Sequence, residues 1–330
     1  MVVPGHPMME NIPDPHLLSL QSVIAIYEAL RETMPIPATE GHCTYSKRLI
    51  DLLNEFDGLI LDGSGVINVG NDPIDGIKEL LLAAKTKCKP IVVLSNAASF
   101  PNSRNLKKYQ QWGLPLTKFQ LISSRDVISE HFKKMLSPKS TNNRPPKVGF
   151  LGTFVKPLSI DGSLLYGQDH DFWDRADVFV FLGALEWKES DQMALEKAMI
   201  ERPRPIHVAN PDVAAPQPEG RFSAEPGYWT FRAIQKLSRE RILGNIFWYG
   251  KPHKQAFSFA LSKIEALAGK SIRPGNICMV GDTLHTDILG GMAGGFKTAL
   301  LRNFGLFRDV DVYEFIEKCD IWPDWVVDNL

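Results

Sequence analysis

Short, continuously apolar segments that alternate with amphipathic segments dominate this chain. Gly58-Leu59-Ile60-Leu61 and the run from Pro90 to Leu94 are apolar throughout, and a helical pattern from Pro73 to Lys87 lies between them. Similar pairs recur as far as Leu301. Strands that are apolar on both faces are typical of parallel sheets covered by helices. The sequence therefore predicts an α/β fold built on a Rossmann-like parallel sheet.

A polar, proline-rich stretch from Ser137 to Pro146 interrupts this alternation. More strand and helix patterns follow it, and we interpret them as a second αβ unit inserted into the first. The predicted domains are an N-terminal helical extension over residues 1–41, a core formed by 42–142 and 243–330, and an inserted α/β cap over 143–242.

The N-terminal extension contains one helical pattern. Asp14-Pro15 is typical of an N-cap followed by proline at the first helical position. Leu17, Leu20, Ile24 and Tyr27 then recur at three- and four-residue spacing. This spacing predicts an amphipathic helix packed on the protein. A homodimer formed through the same helix is an alternative.

Charge and composition exclude several classes of protein. The 37 basic residues and 38 acidic residues leave a net charge of −1, which gives no basic surface for nucleic acid or for membranes. No segment approaches the ~18 apolar residues of a membrane helix. The 4 cysteines are far apart, which favours a reducing compartment. We expect a cytoplasmic protein that binds neither nucleic acid nor membranes.

Polar residues follow several of the predicted strands, where ligands bind in α/β sheets. In chain order they are Asp62 and Ser64, Ser95 and Asn96, Lys251, and Asp282 with Asp287. Each alone is more often a helix cap, a turn residue or a surface charge. Together they suit phosphoryl transfer, because carboxylates can share Mg²⁺ while a lysine and a hydroxyl hold phosphate oxygens. Their shared position at strand ends favours this interpretation.

The segments that carry these residues resemble the four motifs of the haloacid dehalogenase superfamily of Mg²⁺-dependent phosphotransferases. The first motif, hhhDxDG(T/V), is similar to LILDGSGV at residues 59–66 except at one position, and the others are similar to VVLSN at 92–96, GKP at 250–252 and GDTLHTD at 281–287. The insert between the second and third motifs, with Asn210-Pro211-Asp212 inside it, resembles the type IIA branch of NagD-like and 4-nitrophenylphosphatase-like enzymes.

The resemblance implies a catalytic and metal-binding role for five residues. Asp62 would be the nucleophile that forms an aspartyl-phosphate, and Lys251 would hold the phosphoryl group. The ligands of Mg²⁺ would be Asp62, Asp282 and the backbone carbonyl of Ser64, with Asp287 behind them.

The resemblance also implies residues that bind a small phosphorylated metabolite. Ser95 and Asn96 would lie beside the phosphoryl group. Asn210 and Asp212 would lie on the cap loop that faces the leaving group. The identity of the metabolite is not contained in these motifs.

Ser64 departs from the family pattern. The family's phosphatases usually have a second Asp here, which protonates the leaving oxygen and then activates water, and such help is worth ~10²–10⁴-fold. A serine has no accessible pKa for this work. Two functions therefore stay open: a slow Mg²⁺-dependent phosphohydrolase, and a catalytically impaired protein that binds Mg²⁺ and a phosphorylated ligand. The presence of Asp62, Lys251 and Asp282 favours the enzyme.

Overall fold

The computed structural model describes residues 9, 11–36, 41–136, 146–152, 158, 160, 163–165, 167, 171–237 and 242–330. The strands are β1 (Thr44–Arg48), β2 (Gly58–Leu61), β3 (Asn68–Val69), β4 (Asp72–Pro73), β5 (Ile91–Ser95), β6 (Leu121–Ser123), β7 (Lys147–Leu151), β8 (Ser163–Leu165), β9 (Val178–Phe181), β10 (Ile206–Val208), β11 (Ala214–Pro216), β12 (Phe222–Ala224), β13 (Ile246–Trp248), β14 (Ile277–Gly281), β15 (Lys297–Leu301) and β16 (Trp325–Asn329).

The α-helices cover these strands. They are α1 (Leu20–Ala29), α2 (Ile77–Thr86), α3 (Ser103–Gln111), α4 (Ser124–Met135), α5 (Phe172–Arg175), α6 (Glu189–Glu201), α7 (Pro226–Lys236), α8 (Lys254–Ala268), α9 (Leu289–Ala293) and α10 (Val312–Cys319), and a π-helical turn spans Leu284–Ile288. Within the described ranges, no helix combines the length and apolar character that crossing a membrane requires.

The larger sheet has seven strands in the order β1-β16-β15-β14-β2-β5-β6, and every neighbouring pair is parallel. The predicted α/β fold is therefore confirmed. The packing of strand β2 explains why its sequence is continuously apolar and does not alternate with polar residues. Leu59 and Leu61 pack in the apolar cluster on one face of the sheet, and Ile60 packs in the cluster on the other face. Both faces are covered, so no position of β2 favours a polar side chain.

A second, five-stranded parallel sheet has the order β13-β10-β9-β7-β8. Strand β13 pairs with β10, so the prediction that the strand before Lys251 shares the sheet of Asp62 and Asp282 is wrong. A short apolar strand has the same sequence pattern in either sheet, so its own residues do not indicate which strand it pairs with. The domain boundaries at 142/143 and 242/243 stay predictions, and the first lies outside the described residues.

Helix α1 begins later than predicted. Asp14 accepts a hydrogen bond from the backbone N–H two residues later, which forms a local turn, and the N-cap is Ser19. The hydroxyl of Ser19 accepts from Ser22 N, and Ser22 Oγ accepts from Ser19 N, which completes a capping box. Leu17 precedes the helix and is 78% exposed, so the prediction that it belongs to the packed face is wrong.

The apolar face of α1 is covered within the chain. Val23 and Tyr27 belong to one apolar cluster that also contains Tyr228 of α7, beside the smaller sheet, and Ile288, beside the larger sheet. Tyr228 also donates a hydrogen bond of 2.5 Å to Pro13 O. The segment that carries α1 therefore packs against both layers of the molecule.

Candidate active site

Two adjacent strands bring the first pair of carboxylates together. Strands β2 and β14 are parallel neighbours in which Leu61 lies opposite Val280. Asp62 follows the first strand directly and donates a backbone hydrogen bond of 2.9 Å to Val280 O, while Asp282 follows the second strand directly. Parallel strands end at the same edge of a sheet, so the predicted convergence of these two residues is what the structure shows.

Glycines allow the chain to approach Asp282 closely. Gly65 has a φ of +86°, and a Cβ on it would lie 2.3 Å from Cγ of Asp282. A Cβ on Gly305 would lie 1.8 Å from Oδ2 of the same carboxylate. Leu306 N donates to that oxygen at 2.9 Å. The position of Asp282 therefore depends on the absence of side chains in both loops.

The π-helical turn brings a third carboxylate to the same place. Asp62, Asp282 and Asp287 each contribute one carboxylate oxygen to a group of three oxygens that lie within 4.8 Å of one another. Asp287 Oδ2 accepts from the backbone N–H of Asp282 and of Thr283, at 3.2 and 3.1 Å. Through these contacts Asp287 is hydrogen-bonded to the backbone of the loop that carries Asp282. A buried set of carboxylate oxygens fits a hard cation such as Mg²⁺.

Lys251 joins this cluster although its strand belongs to the other sheet. It is 2% exposed, and its Nζ donates to Asp62 Oδ1 at 2.5 Å and to Asp287 Oδ1 at 2.6 Å. The side chain of Asn96 holds the backbone on both sides of this residue, because its Oδ1 accepts from Lys251 N and its Nδ2 donates to Lys251 O, at 2.7 and 3.0 Å.

Burial and charge shift the titration of the whole cluster. Burial raises the pKa of Asp62 well above its usual value, although the charge of Lys251 opposes the shift. Burial and the charge of Asp287 raise the pKa of Asp282 to about 7. Burial opposes the charged form of Lys251, but the carboxylates of Asp287, Asp62 and Asp212 raise its pKa above the usual value. The carboxylates outnumber the ammonium group, so the cluster favours an added cation.

A cavity of about 650 Å³ opens onto Asp62. Of the predicted site residues, those that line it are Asp62, Ser64, Ser95, Asn96, Asn210 and Asp212. The other three, Lys251, Asp282 and Asp287, are buried against Asp62. The structure therefore brings all nine predicted residues to one place.

The loop after β10 forms one side of the cavity. Asn210 Oδ1 accepts from Asp212 N at 3.0 Å, and Asn210 Nδ2 donates to Glu225 Oε2 at 3.1 Å. Asn96 Nδ2 donates to Asp212 Oδ1 at 2.8 Å, which links this loop to the residues after β5. The amide of Asn96 thus contacts both Lys251 and the loop after β10.

Sequence reasoning missed four charged residues of the cavity wall. Arg104, Lys107 and Lys108 all lie on α3 and line the cavity, and Glu225 lines it from the other side. The sequence of α3, SRNLKKYQQ, has three basic and no acidic residues, spaced so that they share a face, and this signal could have been recognised. No local pattern marks Glu225.

A second cluster of metal-ligand side chains lies apart from the cavity lining. Glu28, His285 and Cys319 approach one another, and His285 Nε2 lies 2.6 Å from Glu28 Oε1. Two ligands of one tetrahedral zinc ion would lie about 3.3 Å apart. The shorter separation is a hydrogen bond, and His285 also stacks on Tyr27 with ring centroids 4.9 Å apart. This cluster anchors α1 to the π-helical turn.

Two family models match the sequence. A haloacid dehalogenase-like hydrolase model matches residues 59–145, and a HAD-hydrolase-like model matches residues 248–330. Together these ranges contain β5, β14 and all of β2 except its first residue, with the polar residues that follow these strands. The chain belongs to the haloacid dehalogenase superfamily.

Relatives with assigned activities agree with the family. Phosphoglycolate phosphatase 1A, chloroplastic, from Arabidopsis thaliana is 24% identical over 269 residues, which cover 76% of this chain and 69% of that protein. Ribonucleotide monophosphatase NagD from Escherichia coli K12 is 22% identical over 269 residues, which cover 81% of this chain and 94% of that protein. This haloacid dehalogenase superfamily member is therefore a hydrolase of the phosphatase-like kind.

The fold agrees with solved structures of the same superfamily. The crystal structure of a possible sugar phosphatase from Cytophaga hutchinsonii superposes with a TM-score of 0.72 at 24% identity. The match covers 86% of this chain and 98% of that chain. The similarity to the curated relative NagD supports the predicted type IIA branch.

Proposed function

We propose that this protein is a Mg²⁺-dependent phosphohydrolase of a small phosphorylated metabolite that works through an aspartyl-phosphate on Asp62. The observation that carries the proposal is the buried cluster of Asp62, Asp282, Asp287 and Lys251, which meets a cavity of about 650 Å³ at Asp62. A cavity of this size suits a small ligand.

The donor set fits Mg²⁺, because it consists of buried carboxylate oxygens. Asp62, Asp282 and the backbone carbonyl of Ser64 would hold the ion, and Asp287 would orient the loop that carries Asp282 through its contacts with two backbone N–H groups. When bound, the ion would neutralise part of the charge on the phosphoryl oxygens.

The chain's own residues prepare Asp62 for attack on phosphorus. Gly63 N and Lys251 Nζ both donate to its Oδ1, which fixes the orientation of the carboxylate. Ser95 lines the same cavity, where its hydroxyl can donate to a phosphoryl oxygen. The positive charge of Lys251 balances the negative charges of the nucleophile and the phosphate.

The basic wall of the cavity supports a narrower class of substrate. Arg104, Lys107 and Lys108 face the same space as Asp62 from one helix that carries no acidic residue. Like charges three and four residues apart repel one another on a helix. A negatively charged ligand in the cavity would relieve this repulsion. We propose that the leaving group of the substrate carries an anion, such as a carboxylate or a second phosphate.

One observation favours a second function. Ser64 lines the cavity where the family's acid–base Asp would stand, so the site can bind Mg²⁺ and a phosphorylated ligand without turning it over. This binding protein would keep the affinity of the cluster for Mg²⁺ and phosphate and would show no phosphorylated intermediate.

A trapping experiment separates these functions. The full chain is mixed with ³²P-labelled phosphate ester and Mg²⁺, quenched in acid and assayed for protein-bound label and released phosphate. We expect protein-bound label and released phosphate, both of which Asp62→Asn and removal of Mg²⁺ with EDTA abolish. Asp311→Asn, a change at the N-cap of α10, serves as the matched control and keeps the label.

If the unmodified protein binds the ligand but takes up no label, the phosphohydrolase function is wrong and the binding function is favoured. Label that survives Asp62→Asn would overturn the assignment of the nucleophile.

Two further predictions accompany this function. The cytoplasmic location is supported by free thiols at Cys43, Cys88, Cys278 and Cys319. A homodimer stays a prediction as well, and it would need a surface other than the face of α1 that packs within the chain.

A further inference from the structure

The replacement of the usual Asp by Ser64 leaves the proposed reaction without a carboxyl group on the first motif. The cavity lining contains another carboxyl group, outside the first motif. Asp212 lines the same cavity as Asp62 and Ser64, although it follows β10 of the smaller sheet. A catalytic role for Asp212 rests on the proposed phosphohydrolase function.

The geometry of phosphoryl transfer determines where an acid is needed. The attacking and leaving oxygens lie roughly in line through phosphorus, so the leaving oxygen points away from Asp62. Asp62 and Asp212 line the same cavity, and Asp62 follows β2 of the larger sheet whereas Asp212 follows β10 of the smaller sheet. The leaving oxygen of an ester that reacts at Asp62 would lie in the space that Asp212 also lines.

The carboxyl of Asp212 is held in place from several directions. Its backbone N–H donates to Asn210 Oδ1 at 3.0 Å, and its Oδ1 accepts from Asn96 Nδ2 at 2.8 Å. The next residue, Val213, donates its N–H to the hydroxyl oxygen of Tyr27 at 3.1 Å. Tyr27 is 1% exposed and stacks on His285, so its oxygen is a fixed acceptor.

We propose that Asp212 is the general acid–base of this site, in place of the missing carboxyl at residue 64, and that Tyr27 is the positioning residue that holds its loop. In the first step Asp62 forms a bond to phosphorus, the bond to the leaving oxygen breaks, and the proton of Asp212 passes to that oxygen. In the second step Asp212 takes a proton from water as the water oxygen attacks phosphorus. The bond from phosphorus to Asp62 breaks, and both carboxyl groups return to their starting states.

The charges around Asp212 suit both steps. Burial raises its pKa to about 6 against the charge of Lys251 and the hydrogen bond from Asn96, and the charge of Asp287 raises it further. Glu225, the N-cap residue of α7, lines the same cavity, and burial and the charge of Asp212 raise the pKa of Glu225 to about 8. Burial keeps Tyr27 neutral, because it raises its pKa well above the usual value. A carboxyl that titrates near neutrality can give a proton and take one back.

The test compares Asp212→Asn with the unmodified protein on two esters at saturating Mg²⁺. With 4-nitrophenyl phosphate the first step needs no acid, so the variant should release one equivalent of 4-nitrophenolate rapidly and then turn over ~10²–10⁴-fold more slowly. With an alkyl phosphate it should give no burst, because the poor leaving group needs the proton.

The turnover of unmodified protein on 4-nitrophenyl phosphate should rise with pH through about 6, and this rise should be absent in Asp212→Asn.

Asp311→Asn is the control, because it removes a carboxyl at the N-cap of α10, away from the cavity lining. It should show no burst and should keep the rise with pH. Equal turnover and equal pH profiles in Asp212→Asn and the unmodified protein would overturn the role of Asp212 while the proposed function stands. No phosphorylated intermediate in any form would overturn the proposed function and this inference with it.

Tyr27→Phe tests the positioning role, because it keeps the ring and removes the oxygen that accepts from Val213 N. Turnover on the alkyl ester should fall by at most about tenfold, the effect of one lost hydrogen bond, with unchanged KM and with the rise near pH 6 still present. Tyr228→Phe, which removes the contact of another tyrosine hydroxyl with Pro13 O, should lower thermal stability and leave turnover unchanged. Equal effects of both changes on turnover would overturn the positioning role.

Discussion

Asp62 and Asp282 reach the site by a route different from that of Asp212. Each of the first two follows a strand of the larger sheet directly, and the parallel register of β2 and β14 sets their separation. Asp212 comes four residues after β10 and depends on Asn96, 116 residues away, and on a contact of its neighbour Val213 with Tyr27, 186 residues away. The first arrangement follows from the pairing of two adjacent strands in one sheet, and the second requires side-chain contacts between separate elements.

This difference predicts how the two sides of the cavity respond to change. The residues that follow the strands of the larger sheet are buried, so a change there should have a large effect on function. The loop after β10 is held by several separate hydrogen bonds, so the loss of any one of them should have a graded effect.

The largest effect is expected from Gly65→Ala. The new Cβ would lie 2.3 Å from Asp282 Cγ, so the carboxylate must move, and we expect Mg²⁺ affinity and turnover to fall by about 100-fold. Gly269→Ala is the control, because Gly269 has a similar φ of +66° but no atom within 4 Å of the added Cβ. It should cost ~1–2 kcal/mol of stability and leave Mg²⁺ affinity unchanged. Unchanged affinity in Gly65→Ala, measured by calorimetry, would contradict the large effect expected after the strands of the larger sheet.

An intermediate effect is expected when a carboxyl is added to the strand-end side. In the Asp212→Asn background, Ser64→Asp should restore steady-state turnover by up to ~10²-fold, because it supplies the missing acid–base group from the other side of the cavity. In the unmodified background the gain should be smaller, since Asp212 already acts. Ser64→Asn, of similar size but without a titratable proton, should restore nothing. A large gain from Ser64→Asp alone would mean that the loop after β10 contributes no acid–base group.

The smallest effect is expected at the basic wall. Arg104→Gln and Lys108→Gln should each raise KM for phosphoglycolate, whose leaving group carries a carboxylate, by up to about tenfold relative to glycerol 3-phosphate. The difference should shrink at high ionic strength, because exposed charges are screened. Lys85→Gln on α2, away from the cavity, should leave the ratio of the two KM values unchanged. An equal rise for both esters would contradict an anionic leaving group.

The strands that the sequence did not predict show where local patterns lack information. Strand β1, TYSKR, is largely exposed and polar, and it forms an edge of the larger sheet beside β16. An edge strand needs no apolar run, because only one of its sides pairs and its faces are partly open to water. The interior strands β2, β5 and β14 were predictable, since burial on both faces demands continuous apolar sequence.

The sequence by itself determined the α/β class, the superfamily motifs and the convergence of Asp62 and Asp282, because these depend on residues next to strand ends. Only the tertiary structure decided that the strand before Lys251 joins the smaller sheet and that Tyr27 lies against the loop of Asp212. It also decided that Glu225 shares the cavity with Asp62. These relations join residues far apart in the chain, and their physical cause is packing between layers, which leaves no periodic pattern in the sequence of either partner.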